Sequence, residues 1–237
     1  RIVPCDRHLR VNDWSYRARV RNGSEGAQLL YRGTALILGY GSIGCRIARV
    51  LRALGMRVLA TRRGARRQDI ASDSAPAKRQ RVDDDGVDVY AAEQLRELLP
   101  LCSVLIVALP LTSSTQGLLA KEELALLQPR CCIVNVGRAP IIDEDALWCA
   151  LNDKQRSLSF ASDVWWQEPL PAEDGLPIAP SRHPFGKLDN VVLSPHHAGG
   201  IGLAGIEEDR AAVLAELLAG LAQVGPTPTP VDLEAGY

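Results

Sequence analysis

The sequence lacks a net charge: 27 Lys and Arg stand against 28 Asp and Glu, a formal balance of -1. Nothing global draws it to nucleic acid or to an acidic membrane surface, and a small neutral or anionic ligand is the simpler partner. It also lacks a C-x-x-C pair. Cys5, Cys45, Cys102, Cys131, Cys132 and Cys149 are scattered, mostly in apolar runs where cysteine acts as a small hydrophobe, which reads as reduced thiols in a cytoplasmic setting. Cys131 and Cys132 are neighbours in an expected strand and should face opposite ways, so no shared metal is expected. No apolar run reaches the roughly 20 residues of a membrane span, no signal-peptide pattern opens the chain, and no repeat recurs at solenoid periods. The chain opens on Arg1 instead of methionine, which suggests a truncated or processed start. What is present is material for a core: 237 residues, 46% of them hydrophobic, allow one large or two small domains.

From Thr34 onward short apolar runs alternate with helical patterns, the signature of a parallel sheet with helices on both faces. The expected strands are ALIL (35–38), MRVLA (56–60), VLIVAL (104–109), CIVNV (132–136), LSFASDV (158–164) and NVVLS (190–194). Their continuous apolar character suits strands buried on both faces. Between the first two, Ile43, Ile47, Val50, Leu51 and Leu54 recur at helical spacing, and Gly55 closes the helix. Later helices are expected over 121–128, stopped by Pro129, and over 143–153 and 207–221. Two stretches read as irregular: the charged segment 64–86, and 167–186 with its five prolines.

Gly39-Tyr40-Gly41-Ser42-Ile43-Gly44 fits G-x-G-x-x-G directly after a strand and directly before an amphipathic helix, the context a dinucleotide cradle requires. Gly39 allows the tight turn, Gly41 lets a pyrophosphate approach the backbone, and Gly44 lets the helix pack closely on the strand. The bland alternative is a strand-to-helix turn with no ligand. Units that bind NAD carry an acidic residue at the end of the second strand, whereas this chain offers Thr61, Arg62 and Arg63. Guanidinium groups match a phosphate dianion, so NADP(H) is favoured over NAD(H). A solvated basic loop is the competing explanation of the two arginines.

Three further stretches place polar groups at expected strand ends, where open α/β sheets carry their chemistry. They are NVGRAPIID (135–143), DVWWQEP (163–169) and SPHHAGG (194–200). Singly, Arg138 could be a surface charge, Glu168 a loop carboxylate and His196 a turn histidine. Together they make an anion clamp, an orienting carboxylate and an acid/base. His197 competes with His196, since adjacent side chains diverge, and the SPH placement favours His196.

With those stretches, LRVNDWSYR (9–17), VALPLTSSTQGLL, LDNVVLSPHHAGG and the closing VDLEAGY, the sequence resembles the D-isomer-specific 2-hydroxyacid dehydrogenases along nearly its whole length. The resemblance implies a doubly wound parallel sheet, a Rossmann NAD(P)-binding domain over 1–205. It also implies a C-terminal helix and tail over 206–237 that return to a second, flavodoxin-like substrate domain. It makes Arg138 the holder of the substrate's carboxylate and keto oxygen, His196 the proton donor to that oxygen, and Glu168 the residue that orients His196 and favours its charged form. Ser42, Ile43, Leu109, Pro110, Val136, Gly137, Asp163 and Gly199 would line the cofactor, with Arg138 and His196 bordering it and Asp163 near the nicotinamide carboxamide. Formate dehydrogenases of similar pattern carry glutamine where Glu168 stands, so formate is not the expected substrate.

Members of that family begin with a substrate domain of roughly a hundred residues. Here 33 residues precede Thr34, and they resemble the linker helix and its approach to the first strand. The expectation is that most of the substrate domain is absent, that activity is impaired, and that Leu214, Leu217, Leu218 and Leu221 form an exposed patch. By the same likeness a homodimer forms through the helix near Trp14. The substrate class implied is a small 2-keto or 2-hydroxy acid such as glyoxylate or hydroxypyruvate. The alternative from another class is a nucleotide-sensing interaction protein similar to the C-terminal-binding corepressors.

Overall fold

A computed structural model describes residues 2–21, 29–65, 86–169, 178–200 and 203–224. Most of the irregular segment 64–86, part of the proline-rich stretch and the closing VDLEAGY lie outside the described residues.

Seven strands form one parallel sheet: β1 (Thr34–Leu38), β2 (Arg57–Arg62), β3 (Asp88–Ala91), β4 (Val104–Val107), β5 (Cys132–Asn135), β6 (Ser159–Ser162) and β7 (Val191–Leu193). Their order, β3-β2-β1-β4-β5-β6-β7, reverses direction between β1 and β4. All six expected strands are present, some shorter than their apolar runs, and β3 is an addition that the sequence pattern did not reveal.

Side chains alternate across the sheet and build two cores. Leu36, Leu38, Leu59, Leu105, Val107 and Ile133 join the larger, while Ala35, Ile37, Val58, Ala60, Val104 and Ile106 join the smaller. The register explains the match, because Leu36 sits beside Leu59 on one side and Leu105 on the other. Each fully buried leucine of this kind stabilises the fold by about 2 kcal/mol. Cys131 belongs to the larger core and Cys132 packs against the smaller, so the two neighbours do face opposite ways. The adjacent Cys102 thiol, and then burial, push the Cys131 thiol well above its ordinary range.

The helices are α1 (Ile2–Arg10), α2 (Ser15–Arg21), α3 (Ser42–Ala53), α4 (Leu95–Leu98), α5 (Lys121–Leu126), α6 (Glu144–Asn152) and α7 (Ala204–Val224). Gly55 does close α3, with a left-handed φ of 79°. The inward face of α3 differs from the expected one. Gly44 and Ala48 are its buried residues, Ile47 and Leu51 pack beside them, and Ile43, Val50 and Leu54 are exposed. Small residues win the contact because they let the helix axis approach the sheet. Asp143 caps α6 by accepting from the Ala146 backbone N–H at 2.8 Å. Along α7, Leu214, Leu218 and Leu221 are exposed as expected, and Leu217 is half-buried. No helix among the described residues is long and apolar enough to cross a membrane.

Candidate active site

The sheet's reversal point opens between the carboxyl ends of β1 and β4, and the glycine turn lies there. Gly39 follows β1 with φ 96°, and a Cβ on it would fall 2.6 Å from the Ala108 carbonyl oxygen. A Cβ on Gly44 would collide with the Gly39 carbonyl oxygen itself, so the first turn of α3 folds back onto the strand end only without a side chain. Gly41 behaves differently: a Cβ there meets nothing within 4 Å. Space is therefore open beside the backbone at the start of α3, where unpaired N–H groups and the helix dipole favour an anion. Ser42 and Ile43 are exposed at the same place.

Across the reversal point, Leu109 and Pro110 are half-buried after β4, and Gly137 is buried after β5. A Cβ on Gly137 would lie 2.6 Å from the Leu109 carbonyl oxygen, so these two loops touch backbone to backbone. Fully buried Asn135 shapes the turn after β5. Its side chain accepts from the Gly137 N–H at 3.0 Å and donates to the Arg138 carbonyl at 3.1 Å. Arg138 is thereby presented on an exposed rim beside half-buried Val136, its guanidinium donating to the Gly137 carbonyl at 2.7 Å.

The next strand end carries Asp163, which is 7% exposed. One of its carboxylate oxygens accepts from the Ser194 hydroxyl at 2.6 Å and the His197 N–H at 2.8 Å, and the other from the Ala198 N–H at 2.9 Å. It thus holds the loop after β7, and it does so around a strained residue: His196 sits at φ 53°, a left-handed conformation costly for a side chain of this kind. Burial alone would raise the Asp163 carboxyl, but the hydroxyl of Ser194, the two N–H donors and nearby His196 outweigh it and hold it below the usual range. A depressed carboxyl contributes stability above the ordinary carboxylate pKa and loses it as pH falls through the lower folded value. Asp163→Asn is therefore expected to cost about 2 kcal/mol at pH 7 and to shrink the difference in melting between pH 7 and pH 3, measured by circular dichroism.

Glu168 and His196 meet. The imidazole Nδ1 lies 2.8 Å from one carboxylate oxygen of Glu168, whose other oxygen accepts from the Trp165 backbone N–H at 2.8 Å. The Trp165 indole in turn donates to the Ser194 carbonyl at 2.8 Å. Both partners of the pair are a little over one-third exposed, so the site is reachable from solvent. His197 gives its backbone N–H to Asp163, while the His196 ring meets the Glu168 carboxylate. A carboxylate only accepts, so the pairing places a proton on Nδ1 and leaves Nε2 as the nitrogen that can serve a ligand.

Arg138, the Glu168–His196 pair and Asp163 thus follow the carboxyl ends of three adjacent strands, β5, β6 and β7, next to the glycine turn after β1. Gly199 is exposed at the end of the histidine loop, and Arg62 and Arg63 are exposed at the end of β2. Sequence reasoning missed Asn135 and Ser194, both strand-end polar residues, and gave Asp163 no part in holding the histidine. Among the described residues no group of His, Cys, Asp and Glu is arranged to hold a metal ion.

Known proteins resemble this chain in sequence and in fold. A family model described as D-isomer specific 2-hydroxyacid dehydrogenase, NAD binding domain, matches residues 1–198. A glyoxylate reductase of Aeropyrum pernix is 33% identical over 202 residues, which span 84% of this chain and 52% of the relative. One of Pyrococcus furiosus is 32% identical over 227 residues, 92% of this chain and 56% of the relative. The chain therefore spans about half the length of the curated relatives it matches. A D-isomer specific 2-hydroxyacid dehydrogenase from Xanthobacter autotrophicus, solved with NADPH and MES, has a TM-score of 0.70 at 26% identity and covers 99% of this chain and 82% of its own. The parallel sheet is the Rossmann-like fold of these enzymes, and the chain belongs to the D-isomer-specific 2-hydroxyacid dehydrogenases, with residues 1–198 as the NAD-binding domain.

Proposed function

We propose that this chain binds NADP(H) in preference to NAD(H) and serves hydride transfer between that cofactor and a small 2-keto or D-2-hydroxy acid. Glyoxylate and hydroxypyruvate are the leading substrates, because matching relatives are glyoxylate reductases and glyoxylate/hydroxypyruvate reductases. The observation that carries the reading is the His196–Glu168 pair, 2.8 Å apart and held beside an exposed arginine on the neighbouring strand end. The residues fit a dinucleotide: Gly41 leaves room at the start of α3, and the bulk a Cβ would add is excluded at Gly39 and Gly44.

A bound nicotinamide would supply or accept the hydride. Around it, the Arg138 guanidinium suits a planar carboxylate and would stabilise the negative charge that develops on the keto oxygen. His196 would deliver a proton from Nε2 to that oxygen, while Glu168 holds the opposite nitrogen and fixes the ring. Ser42, Ile43, Leu109, Pro110, Val136, Gly137 and Gly199 would line the cofactor. In this reading residues 1–205 form the nucleotide-binding unit of a cytoplasmic homodimer, joined around Trp14, a residue that is 63% exposed.

A panel of 2-keto acids supplied with NADPH or NADH tests the reading. Turnover of glyoxylate or hydroxypyruvate with NADPH supports it, whereas tight nucleotide binding with no turnover of any acid favours a nucleotide sensor. Arg62→Ala should weaken NADPH about tenfold and leave NADH unchanged, the loss expected for one charge-assisted phosphate contact. A preference for NADH that this substitution leaves untouched contradicts the cofactor assignment.

A further inference from the structure

Glu144 opens α6, is 6% exposed and has been given no chemical role above. Its carboxylate is fully engaged by one residue: it accepts from the Arg182 backbone N–H at 2.6 Å and from the Arg182 Nε at 2.8 Å. Its neighbour Asp145 reaches the same segment, 2.6 Å from the His183 Nε2 and 3.2 Å from an Arg182 guanidinium nitrogen. The segment so anchored also grips the residues just before Glu168. Gln167 donates its backbone N–H to the Pro180 carbonyl at 3.0 Å, and the Trp166 ring stacks on Phe185 with centroids 5.6 Å apart. The Trp166 indole donates to the Ile142 carbonyl at 3.1 Å, two residues ahead of Glu144. On its other side, α6 is reached from Arg138 through the short turn Ala139–Ile141 and the cap Asp143.

We propose that Glu144 is a positioning residue: through Arg182 and the Pro180–Gln167 hydrogen bond it fixes Glu168 against His196, and it ties that pair to the strand end that carries Arg138. The catalytic consequence rests on the proposed function; the structural coupling does not. Replacing the buried carboxylate by an amide puts an NH2 donor where one acceptor oxygen stood, so either the Arg182 N–H or its Nε loses its partner, and the 178–183 segment relies more on its exposed contacts to Asp145. Gln167 then loses its fixed acceptor, and the adjacent Glu168 carboxylate leaves the Nδ1 of His196 for part of the time.

The test reads His196 directly. Long-range imidazole ¹⁵N spectra are recorded for the wild-type chain, for Glu168→Gln as the reference without the carboxylate charge, and for Glu144→Gln. Glu123→Gln is the control, because Glu123 is likewise buried at a helix start and paired with an arginine, Arg96, but faces α4. Glu144→Gln is expected to move the Nδ1 and Nε2 resonances at least half of the way to the Glu168→Gln positions, and Glu123→Gln to leave them in place. Wild-type positions in Glu144→Gln, or equal movement in both variants, overturn the proposal. If Glu144→Gln does not fold, Arg182→Lys takes its place, with a smaller movement in the same direction expected and wild-type positions again overturning it. Where the wild-type chain reduces a 2-keto acid, Glu144→Gln should lower kcat about tenfold with KM for NADPH unchanged. Wild-type chain that turns over no acid defeats the proposed function, while the His196 spectra still decide the coupling.

Discussion

Gly44→Val is expected to abolish binding of both NADPH and NADH and to lower the melting temperature of the chain. A side chain at this position runs into the Gly39 carbonyl oxygen, which is backbone and cannot swing aside, and then into the γ-methyl of Ile37, 3.4 Å from the added Cβ. Either α3 lifts off the sheet or the turn after β1 opens, and both destroy the cradle. Even alanine should cost about 1–3 kcal/mol, the range for overpacking a close contact. Gly41→Ala separates the two roles. Its Cβ meets no protein atom within 4 Å and its φ of -98° suits any residue, so the variant should melt like wild type. It should nevertheless lose nucleotide affinity, because the methyl group fills space proposed for the pyrophosphate. A melting curve and a nucleotide titration on the two variants read the difference: Gly44→Val is expected to lose both stability and binding, and Gly41→Ala to lose binding alone.

Arg138→Ala is expected to lower kcat/KM for the proposed 2-keto acid reduction by about a thousandfold, with the affinity for NADPH nearly unchanged. A guanidinium that holds a carboxylate and also strengthens its hold as charge builds on the keto oxygen acts in binding and in the transition state, so both kcat and KM should suffer. The substitution should be benign for the fold. The side chain is exposed, and its hydrogen bond is made to the carbonyl of its own neighbour. His196→Asn should fall by about 10²–10⁴ in kcat, the usual worth of a general acid, with a smaller effect on KM. Steady-state rates for the two variants distinguish the anion clamp from the proton donor by that split.

The glycine turn, the strand ends and the pair Glu168 and His196 were legible in the sequence because each is a short local pattern bounded by an apolar run. What stayed hidden depends on register. Asp163 lies 31 residues from Ser194 and 34 and 35 residues from the N–H groups of His197 and Ala198, and only the pairing of β6 with β7 brings them together. Two of those three donors are backbone groups, which no residue pattern announces. The strand β3 escaped notice because Asp88-Val89-Tyr90-Ala91 is four residues long and begins on a charge, after a long polar segment. Leu95, Leu98 and Leu99 beyond it are core residues in α4 and in the short turn Leu99–Leu101 that follows it, too brief for a helical period to show. Along α3 the apolar period misled, since the sheet accepts Gly44 and Ala48 and leaves Ile43, Val50 and Leu54 to the surface. Hydrophobicity marks a face, but closeness of approach selects the side chains that can occupy it.

The central claim, that the turn from Gly39 to Gly44 binds a dinucleotide and that Arg62 and Arg63 select its phosphate, is tested most directly by calorimetric titration of the wild-type chain with NADPH and with NADH. One site per chain, with NADPH at least tenfold tighter than NADH, is the predicted result. No heat and no saturation with either nucleotide, from chain shown to be folded by its melting curve, would contradict the account.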